Sequence, residues 1–234
     1  MRSYNDFAKQ YNDMVTSGGP NVSYRYILQH LKDKSDLTGL NVCDIGCGQG
    51  ELAYQLSLLG VKVTGVDLSE KLLEYAENHT NQVTWVQDDA MSLHKLEDSA
   101  FDYVISSVML MDVQDHKKVF DAVYRVLKPN GMMIWVIMHP CFQSPFSYPL
   151  GDGSRKIIRY DSQFWKSEGI GTIRSTLGAF HRPLSQYLND FLTSGFIITR
   201  VDELERDTNA VDNLPSMFAV MGKKDRNHDK GSQK

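Results

Sequence analysis

The chain has 234 residues, of which 41% are hydrophobic, and a formal net charge of −4 at pH 7. This length and composition suit one α/β domain with a modest insertion, and the acidic balance gives no electrostatic case for nucleic acid or an anionic membrane as a partner. Three cysteines without a C-x-x-C pair argue against a disulfide framework. Because the sequence has no apolar N-terminal segment and no run long enough to span a bilayer, it predicts a cytoplasmic protein.

The first 38 residues predict two helices. Tyr4, Phe7 and Tyr11 recur at helical spacing before a Ser-Gly-Gly-Pro hinge at 17–20. Residues 22–37 predict the second helix, which ends before a glycine that precedes the first strand.

The most informative stretch is residues 41–50, Asn-Val-Cys-Asp-Ile-Gly-Cys-Gly-Gln-Gly. An apolar run predicts a buried parallel strand that leads into a glycine turn, and Glu51–Leu59 predicts the helix that follows. Such a unit exposes backbone N–H groups to a ligand. The next predicted strand, Val61–Val66, ends at Asp67, about 20 residues past the first glycine, where dinucleotide-binding folds place an acid that holds ribose hydroxyls.

Two details of this turn distinguish it from a dinucleotide fingerprint. The spacing is G-x-G-x-G, and Glu51 stands where G-x-G-x-x-G requires glycine. Asp44 lies two residues before the first glycine, where its charge would repel a pyrophosphate and attract an ammonium or sulfonium group.

The remaining patterns predict further helices and strands. In chain order they are the helix Glu70–Asn78 with Ser69 as its N-cap, the strand Val83–Val86 ending in Asp88-Asp89-Ala90-Met91, the strand 101–107, the helix His116–Leu127, the Lys128-Pro129-Asn130-Gly131 turn, the strand Met132–Met138, a helix starting at 181–188 and ending at Gly195, and the strands Phe196–Glu203 and Met217–Lys223. In the turn, proline sets its own φ, and glycine is expected to supply a positive φ.

Residues 139–180 interrupt this alternation for about forty residues. Loops of that length in a compact domain are usually functional, and the aromatic content argues against disorder. The segment follows the carboxyl end of the predicted central strand, where open α/β sheets bind ligands. We therefore expect a substrate cap, with short strands at Ile157–Tyr160 and Ile170–Arg174. Residues 224–234 are charged and predict a disordered tail.

Val42–Gly50 resembles the first motif of class I S-adenosylmethionine-dependent methyltransferases. Asp89-Ala90, Phe101-Asp102 and the Leu-Lys-Pro-Asn-Gly stretch ending at Gly131 also resemble marks of this family. The resemblance covers 40–138 in motifs, 181–223 in layout and the cap loosely. It implies a single α/β domain over residues 1–223, with a Rossmann-like, doubly wound sheet of seven mostly parallel strands, an antiparallel last strand, helices on both faces and a cap insertion after strand 5. In this family residues 1–38 would form a helical lid.

The resemblance also implies S-adenosylmethionine as cofactor and a small-molecule acceptor. The residues expected around the cofactor are Tyr11, Asp44, Gly46, Cys47, Gly48, Gly50, Asp67, Leu68, Asp89, Ala90, Met91 and Ser106. Within this set, Asp67 would hold the ribose, Asp89 and Ala90 would frame the adenine, and Asp44 would orient the turn or the amino group.

A second group of residues is expected to bind the methyl acceptor. Its candidate residues are Met111, His139, Tyr160, Trp165 and Arg182. A base is required only if the acceptor loses a proton during attack, and His139 and His181 are the candidates because imidazole titrates near neutrality. We expect no metal, and either a monomer or a homodimer.

Three alternatives remain open from the sequence. A nicotinamide-dependent oxidoreductase would share the strand, turn, helix and Asp67. An RNA or protein methyltransferase would share the cofactor core, although Ser106-Ser107-Val108-Met109 stands where amino-group methyltransferases of this kind carry Asn/Asp-Pro-Pro-Tyr. A module that binds the cofactor without catalysis is the third.

Overall fold

The structure is a computed structural model that describes residues 3–18, 21–33, 37–168, 173–205 and 214–227. Its helices are α1 (Tyr4–Ser17), α2 (Val22–Lys32), α3 (Glu51–Ser57), α4 (Glu70–His79), α5 (His116–Val126), α6 (Ile173–Thr176) and α7 (Leu184–Thr193). Its strands are β1 (Asn41–Ile45), β2 (Lys62–Asp67), β3 (Val83–Gln87), β4 (Phe101–Ser107), β5 (Leu127–Met138), β6 (Ser147–Pro149), β7 (Arg155–Ile157), β8 (Gln163–Trp165), β9 (Ala179–His181), β10 (Phe196–Leu204) and β11 (Met217–Lys224).

Seven strands form one sheet in the order β10-β11-β5-β4-β1-β2-β3. The strands β1 to β5 run parallel, and β11 is antiparallel to both of its neighbours, β5 and β10. The predicted fold class is therefore confirmed. The strand order reverses between β1 and β4, so the carboxyl ends of these strands flank the crevice in which doubly wound sheets bind ligands.

Both faces of the sheet are buried under helices. Successive residues of β5 alternate between the two cores, with Ile134 on the side of α2 and α3, and Trp135 on the side of α5 and α7. Trp135 packs among Phe120 of α5 and Phe191 of α7. Because both faces are covered, the central strands consist mostly of apolar residues, which is why their sequences predicted them.

The predicted start of the fifth strand was wrong. β5 begins at Leu127 rather than at 132, and a bulge lies between its pairs with Phe101 and Tyr103. Within the bulge Asn130, and not Gly131, has a positive φ, of 67°. Gly131 meets a different requirement, because a Cβ there would lie 2.9 Å from the carbonyl oxygen of Lys128. The residues that predicted a turn thus form a bulge inside a strand.

In its described residues the cap contains two antiparallel strand pairs, called the cap hairpins, and one short helix. The first hairpin pairs β6 with β7, and the second pairs β8 with β9. The predicted strand at Ile157–Tyr160 was therefore wrong, since β7 ends at Ile157. The predicted strand at Ile170–Arg174 was also wrong in its described part, where Ile173 and Arg174 begin α6; residues 170–172 lie outside the described residues.

The carboxyl-terminal boundary lies slightly beyond the prediction. Lys224 belongs to β11 and is not part of a disordered tail. Its Nζ donates to the carbonyl oxygen of Leu127 at 2.9 Å and lies 4.4 Å from the ring centroid of Tyr124. Residues 228–234 of the predicted tail lie outside the described residues. In the part of the chain that the structure describes, no helix has the length and apolarity needed to cross a membrane.

Candidate active site

The glycine turn, residues 46–50, joins β1 to α3 at the carboxyl edge of the sheet. The backbone N–H groups of Gly46 and Cys47 both donate to the carbonyl oxygen of Val66, at 2.7 and 3.0 Å, and so tie the turn to β2. Cys47 is buried, and burial raises the pKa of its thiol. A Cβ on Gly46 would overlap the side chain of Met109. The segment after β4 therefore lies directly against the turn.

Asp67 ends β2 with its carboxylate facing the same turn. Its Oδ2 accepts from the N–H of Gly48 at 2.9 Å, and its Oδ1 accepts from the N–H of Ser69 at 2.8 Å. Burial raises the pKa of Asp67, and these backbone donors oppose the rise. Leu68 is exposed. The carboxylate is thus held rigidly, with lone pairs remaining for further donors.

Three buried side-chain oxygens near the turn have no hydrogen-bond partner among the described residues. They are Oδ2 of Asp44, Oε1 of Gln49 and Oγ of Ser106. Burial, with the negative charge of Asp67 as a further cause, raises the pKa of Asp44 from 3.8 to about 8. Buried acceptors without donors are costly, so this arrangement favours a ligand that brings donors to the turn.

The acidic segment after β3 forms a tight turn. Oδ1 of Asp89 accepts from the N–H of Met91 at 2.9 Å, and Oδ1 of Asp88 accepts from the N–H of Asp89 at 2.8 Å. Ala90 is buried and Met91 is half-buried. β3 is two strands from β1, so this turn lies at one end of the same carboxyl edge.

The N-terminal helix α1 covers the turn. A Cβ on Gly48 would lie 3.0 Å from Cε1 of Tyr11, so the Tyr11 ring lies against the turn. Near the start of α1, Oδ1 of Asn5 accepts from Oγ of Ser69 at 2.7 Å and from the N–H of Lys71 at 3.2 Å. These contacts join α1 to the start of α4.

A polar cluster that the sequence analysis missed links α1 to the cap. Asp112, which follows β4, forms an ion pair with Arg174 of α6, and its Oδ2 accepts from the hydroxyl of Tyr4 at 3.0 Å. The Tyr4 ring lies edge-on to Tyr11 at 5.9 Å. No local pattern signals this cluster, because 62 residues separate Asp112 from Arg174.

A cavity of about 240 Å³ opens at the carboxyl ends of β4 and β5, under the cap. Its wall includes the predicted acceptor residue Trp165, whose Nε1 is buried without a partner among the described residues. The full lining is Val108, Met138, Phe142, Gln143, Ser144, Arg155, Trp165, Arg174, Leu214, Pro215 and Ser216. The cavity therefore combines apolar and aromatic walls with two arginines.

His139 follows β5 but makes its polar contacts with the protein. Its Nδ1 accepts from the N–H of Cys141 at 3.2 Å, and its Nε2 lies 3.2 Å from Oε1 of Glu203. The ring stacks on Phe142, and burial lowers its pKa, opposed by Glu203. In this arrangement the neutral ring has no lone pair directed at the cavity.

His181 and Tyr160 also bond to the backbone. The ring nitrogens of His181 lie 2.8 Å from the carbonyl oxygen of Asp161 and 3.0 Å from that of Pro140. The hydroxyl of Tyr160 accepts from the N–H of Leu184 at 2.9 Å. These contacts join β9 to the segment after β5, and join the segment between the two cap hairpins to β9 and α7.

Arg182 and Met111 lie in the interior. The guanidinium of Arg182 donates to the carbonyl oxygens of Leu110, Val113 and Gln114, all within 3.2 Å. Met111 is 2% exposed and belongs to the core. The structure thus places Asp44, Asp67 and Tyr11 at the glycine turn, and the turn after β3 lies farther along the same edge of the sheet. Of the predicted acceptor residues, Trp165 alone lies in the wall of the cavity.

The sheet order, the glycine turn between β1 and α3 and the acid at the end of β2 define a methyltransferase-type Rossmann-like fold. A methyltransferase domain family matches residues 43–135. A solved S-adenosylmethionine-dependent methyltransferase from Mesorhizobium loti superimposes with a TM-score of 0.72 at 26% identity, covering 86% of this chain and 98% of that one.

Curated relatives with similar sequences are also methyltransferases by name. A ubiquinone biosynthesis O-methyltransferase from Pseudomonas putida is 35% identical over 195 residues, or 74% of this chain and 83% of the relative. A demethylmenaquinone methyltransferase from Lactococcus lactis is 35% identical over 119 residues, or 47% of each chain. The chain spans 47% of that relative and 59% of another from Bacillus subtilis. The chain belongs to the class I S-adenosylmethionine-dependent methyltransferases.

The residues at the turn fit the cofactor of this family. S-adenosylmethionine carries an ammonium group, ribose hydroxyls and an adenine amine, all of which donate hydrogen bonds. The buried oxygens of Asp44, Gln49 and Ser106 and the held carboxylate of Asp67 supply matching acceptors. The close approaches at Gly46 and Gly48 leave a backbone surface that a side chain would obstruct.

Donor binding should release a proton from Asp44. Because the pKa of Asp44 is raised to about 8, the carboxyl is mostly protonated at pH 7. An ammonium beside it favours the carboxylate, so the affinity for S-adenosylmethionine should rise between pH 6 and pH 8, by at most about tenfold per pH unit. Without ligand the sign is opposite: the folded state binds the extra proton, so folding stability falls over the same pH range.

Calorimetry in two buffers of different ionisation enthalpy measures the proton release directly. Asp44→Asn removes the titrating group and should remove both the proton release and its part of the pH slope. An equal proton release in the wild type and in Asp44→Asn would contradict the assignment.

Proposed function

We propose that the chain transfers the methyl group of S-adenosylmethionine to a small-molecule acceptor bound in the cavity under the cap. The observation that carries this proposal is the position of the cavity. Val108 and Met138 of its wall stand at the ends of β4 and β5, and Met109, next to Val108, packs against Gly46 of the glycine turn. Neighbouring residues of the segment after β4 therefore contact the cavity and the donor turn.

S-adenosylmethionine supplies a methyl group activated by its sulfonium. The protein has mainly to align donor and acceptor and to exclude water. We assign the donor contacts to Asp44, Asp67, Asp89 and Ser106. Tyr11 covers the turn from α1, and the cap covers the cavity, so both reactants would be enclosed.

The size of the cavity supports a small acceptor. A cavity of about 150 Å³ holds benzene, so about 240 Å³ accommodates a substituted single ring. The names of two relatives, a ubiquinone biosynthesis O-methyltransferase and a demethylmenaquinone methyltransferase, also support a small-molecule acceptor. An RNA or protein acceptor would have to insert a base or side chain under the cap, and the acidic net charge does not favour RNA.

Both histidines predicted as candidates for a general base make hydrogen bonds to the protein. His181 lies between two carbonyl oxygens, which does not favour a role in proton transfer. His139 is the better candidate, but its Nδ1 would have to exchange the N–H of Cys141 for a proton of the acceptor. An acceptor that reacts as an anion would need neither histidine.

Calorimetric titration with S-adenosylmethionine and, in parallel, NADH tests the cofactor assignment. We expect binding of the methyl donor in the micromolar range and no comparable binding of NADH. Methyl transfer from radiolabelled donor to small aromatic hydroxyl and amine compounds then tests the reaction. Tight NADH binding without donor binding would contradict the proposal, and so would transfer confined to RNA or protein acceptors.

A further inference from the structure

Three side chains join the N-terminal helix to the cap. They are Tyr4 of α1, Asp112, which follows β4, and Arg174 of α6, and they form what is called here the Asp112 cluster. We propose that these three are positioning residues, which hold Tyr11 over the donor turn and so control the release of the cofactor product. This inference rests on the proposed function, because it concerns the donor site that Tyr11 covers.

Tyr4 and Tyr11 lie on the inward face of α1. They are about two helical turns apart, and Ala8 between them is buried. Their rings meet edge-on, with centroids 5.9 Å apart. A Cβ on Gly48 would lie 3.0 Å from Cε1 of Tyr11 and 3.5 Å from its hydroxyl oxygen. The face of α1 that Tyr4 anchors is therefore the face that covers the donor turn.

The carboxylate of Asp112 is shared between α1 and the cap. Its Oδ2 accepts from the hydroxyl of Tyr4 at 3.0 Å and from Nη2 of Arg174 at 3.4 Å, and its Oδ1 pairs with Nη1 of Arg174. Burial, with the charge of Asp112 as the next cause, raises the pKa of Tyr4, so the hydroxyl stays protonated and donates. Hydrogen bonds to a charged group are the stronger kind, and one carboxylate thus holds both elements.

The segment after β4 connects this carboxylate to both halves of the site. The N–H of Asp112 donates to the carbonyl oxygen of Met109 at 2.7 Å. Met109 packs against Gly46 of the turn, and Val108 lines the cavity, as Arg174 also does. The residue that anchors α1 therefore belongs to the segment that contacts the donor turn and the cavity.

Release of the cofactor product requires α1 to move, because the ring of Tyr11 lies against the turn. A movement of α1 that uncovers the turn breaks the bond between Tyr4 and Asp112. Without this bond less free energy is needed to uncover the turn, so the product leaves faster. Movement of such covering elements limits product release in many enzymes.

The first test measures the dissociation rate of S-adenosylhomocysteine by surface plasmon resonance. Tyr4→Phe removes one hydroxyl and keeps the ring beside Tyr11, and the contacts of Asn5 with the start of α4 remain. We expect the dissociation rate to rise about tenfold, as the loss of a hydrogen bond to a charged group implies.

Tyr26→Phe is the matched control. The hydroxyl of Tyr26 donates to Oδ2 of Asp202 at 2.7 Å, and Asp202 also pairs with Arg200. This tyrosine, aspartate and arginine have the same chemistry as the Asp112 cluster, but they join α2 to β10, the edge strand of the sheet. Tyr26→Phe should therefore release S-adenosylhomocysteine at the wild-type rate.

A double-mutant cycle separates the positioning of Tyr11 from a general loss of stability. Tyr11→Ala removes the covering ring and should itself speed release. In that background Tyr4→Phe should change the rate by less than about twofold, because the ring that Tyr4 positions is gone.

A second double variant tests Arg174. Asp112→Asn/Arg174→Gln removes the ion pair without leaving a buried charge unpaired. It replaces the carboxylate that accepts from Tyr4 with a neutral amide, so release should become about threefold faster or more.

Three results would overturn the inference. In the first, Tyr4→Phe releases the product no faster than Tyr26→Phe does. In the second, Tyr4→Phe speeds release equally with and without the Tyr11 ring, and in the third the Asp112→Asn/Arg174→Gln variant releases it at the wild-type rate. Failure of the proposed function looks different, because the wild type itself would then not bind S-adenosylhomocysteine, and this inference would fall with it.

Discussion

Asp67→Ala is expected to lower the affinity for S-adenosylmethionine by about 100-fold. A hydrogen bond to a charged group contributes about 1.5–3 kcal/mol, and two ribose hydroxyls would lose their acceptor. The substitution also leaves the N–H groups of Gly48 and Ser69 without the carboxylate that orients them. Both effects act on the donor site, so calorimetric titration of donor and product should show the loss.

Asp102→Asn provides the matched control. Oδ2 of Asp102 also accepts a backbone donor, the N–H of Asn41 at 2.9 Å, and pairs with Lys128 at 2.7 Å. It lies at the opposite edge of the sheet, where β1 and β4 begin. Loss of the negative charge of Asp102 should lower the melting temperature slightly and leave the affinity for the donor within about threefold of the wild-type value. Donor binding by Asp67→Ala within threefold of the wild type would contradict the assignment.

The parts of the fold that the sequence predicted are those with strong local patterns. The central strands are buried on both faces and therefore read as continuous apolar runs, such as Met132–Met138. The glycine turn was recognisable because its glycines and both acids, Asp44 and Asp67, lie within one strand-turn-helix-strand unit. Most of the predicted cofactor residues that lie at the turn therefore belong to this one unit of the sequence.

Local sequence patterns did not predict the secondary structure of the cap. The strands β6 to β9 have 3 residues each, too few for an alternating pattern, and α6 has 4. Pairing between such short segments is decided by their packing on the rest of the molecule. This is why Arg174 was predicted in a strand but lies in a helix, where it reaches Asp112.

The sequence also did not indicate which arginines line the cavity. Arg182 was a candidate for binding the acceptor, but its guanidinium donates hydrogen bonds to three backbone carbonyl oxygens. Arg155 was not among the predicted site residues, but it lines the cavity. The destination of a long side chain depends on tertiary contacts, which composition and spacing do not encode.

Gly50→Ala is expected to destabilise the protein by about 2–4 kcal/mol and to weaken donor binding. Gly50 is the N-cap of α3 with φ of 86°, a conformation that costs an alanine about 1 kcal/mol. An added Cβ would lie 2.5 Å from Cη2 of Trp85 and 2.9 Å from Cβ of Ala76. The backbone of Gly65 lies against the same ring, which limits the movement of Trp85. Overpacking of this kind costs about 1–3 kcal/mol more.

Gly60→Ala separates the two contributions to this loss. Gly60 has a similar φ of 78°, but no atom lies within 4 Å of the position of its Cβ. It should therefore lose only about 1 kcal/mol, or about 2–4 °C in melting temperature, and keep its donor affinity. Equal losses of unfolding free energy in the two variants would refute the steric argument. In a double-mutant cycle, Trp85→Leu should lower the cost of Gly50→Ala towards the Gly60→Ala value, because it removes the contacts with the ring and leaves the contact with Cβ of Ala76.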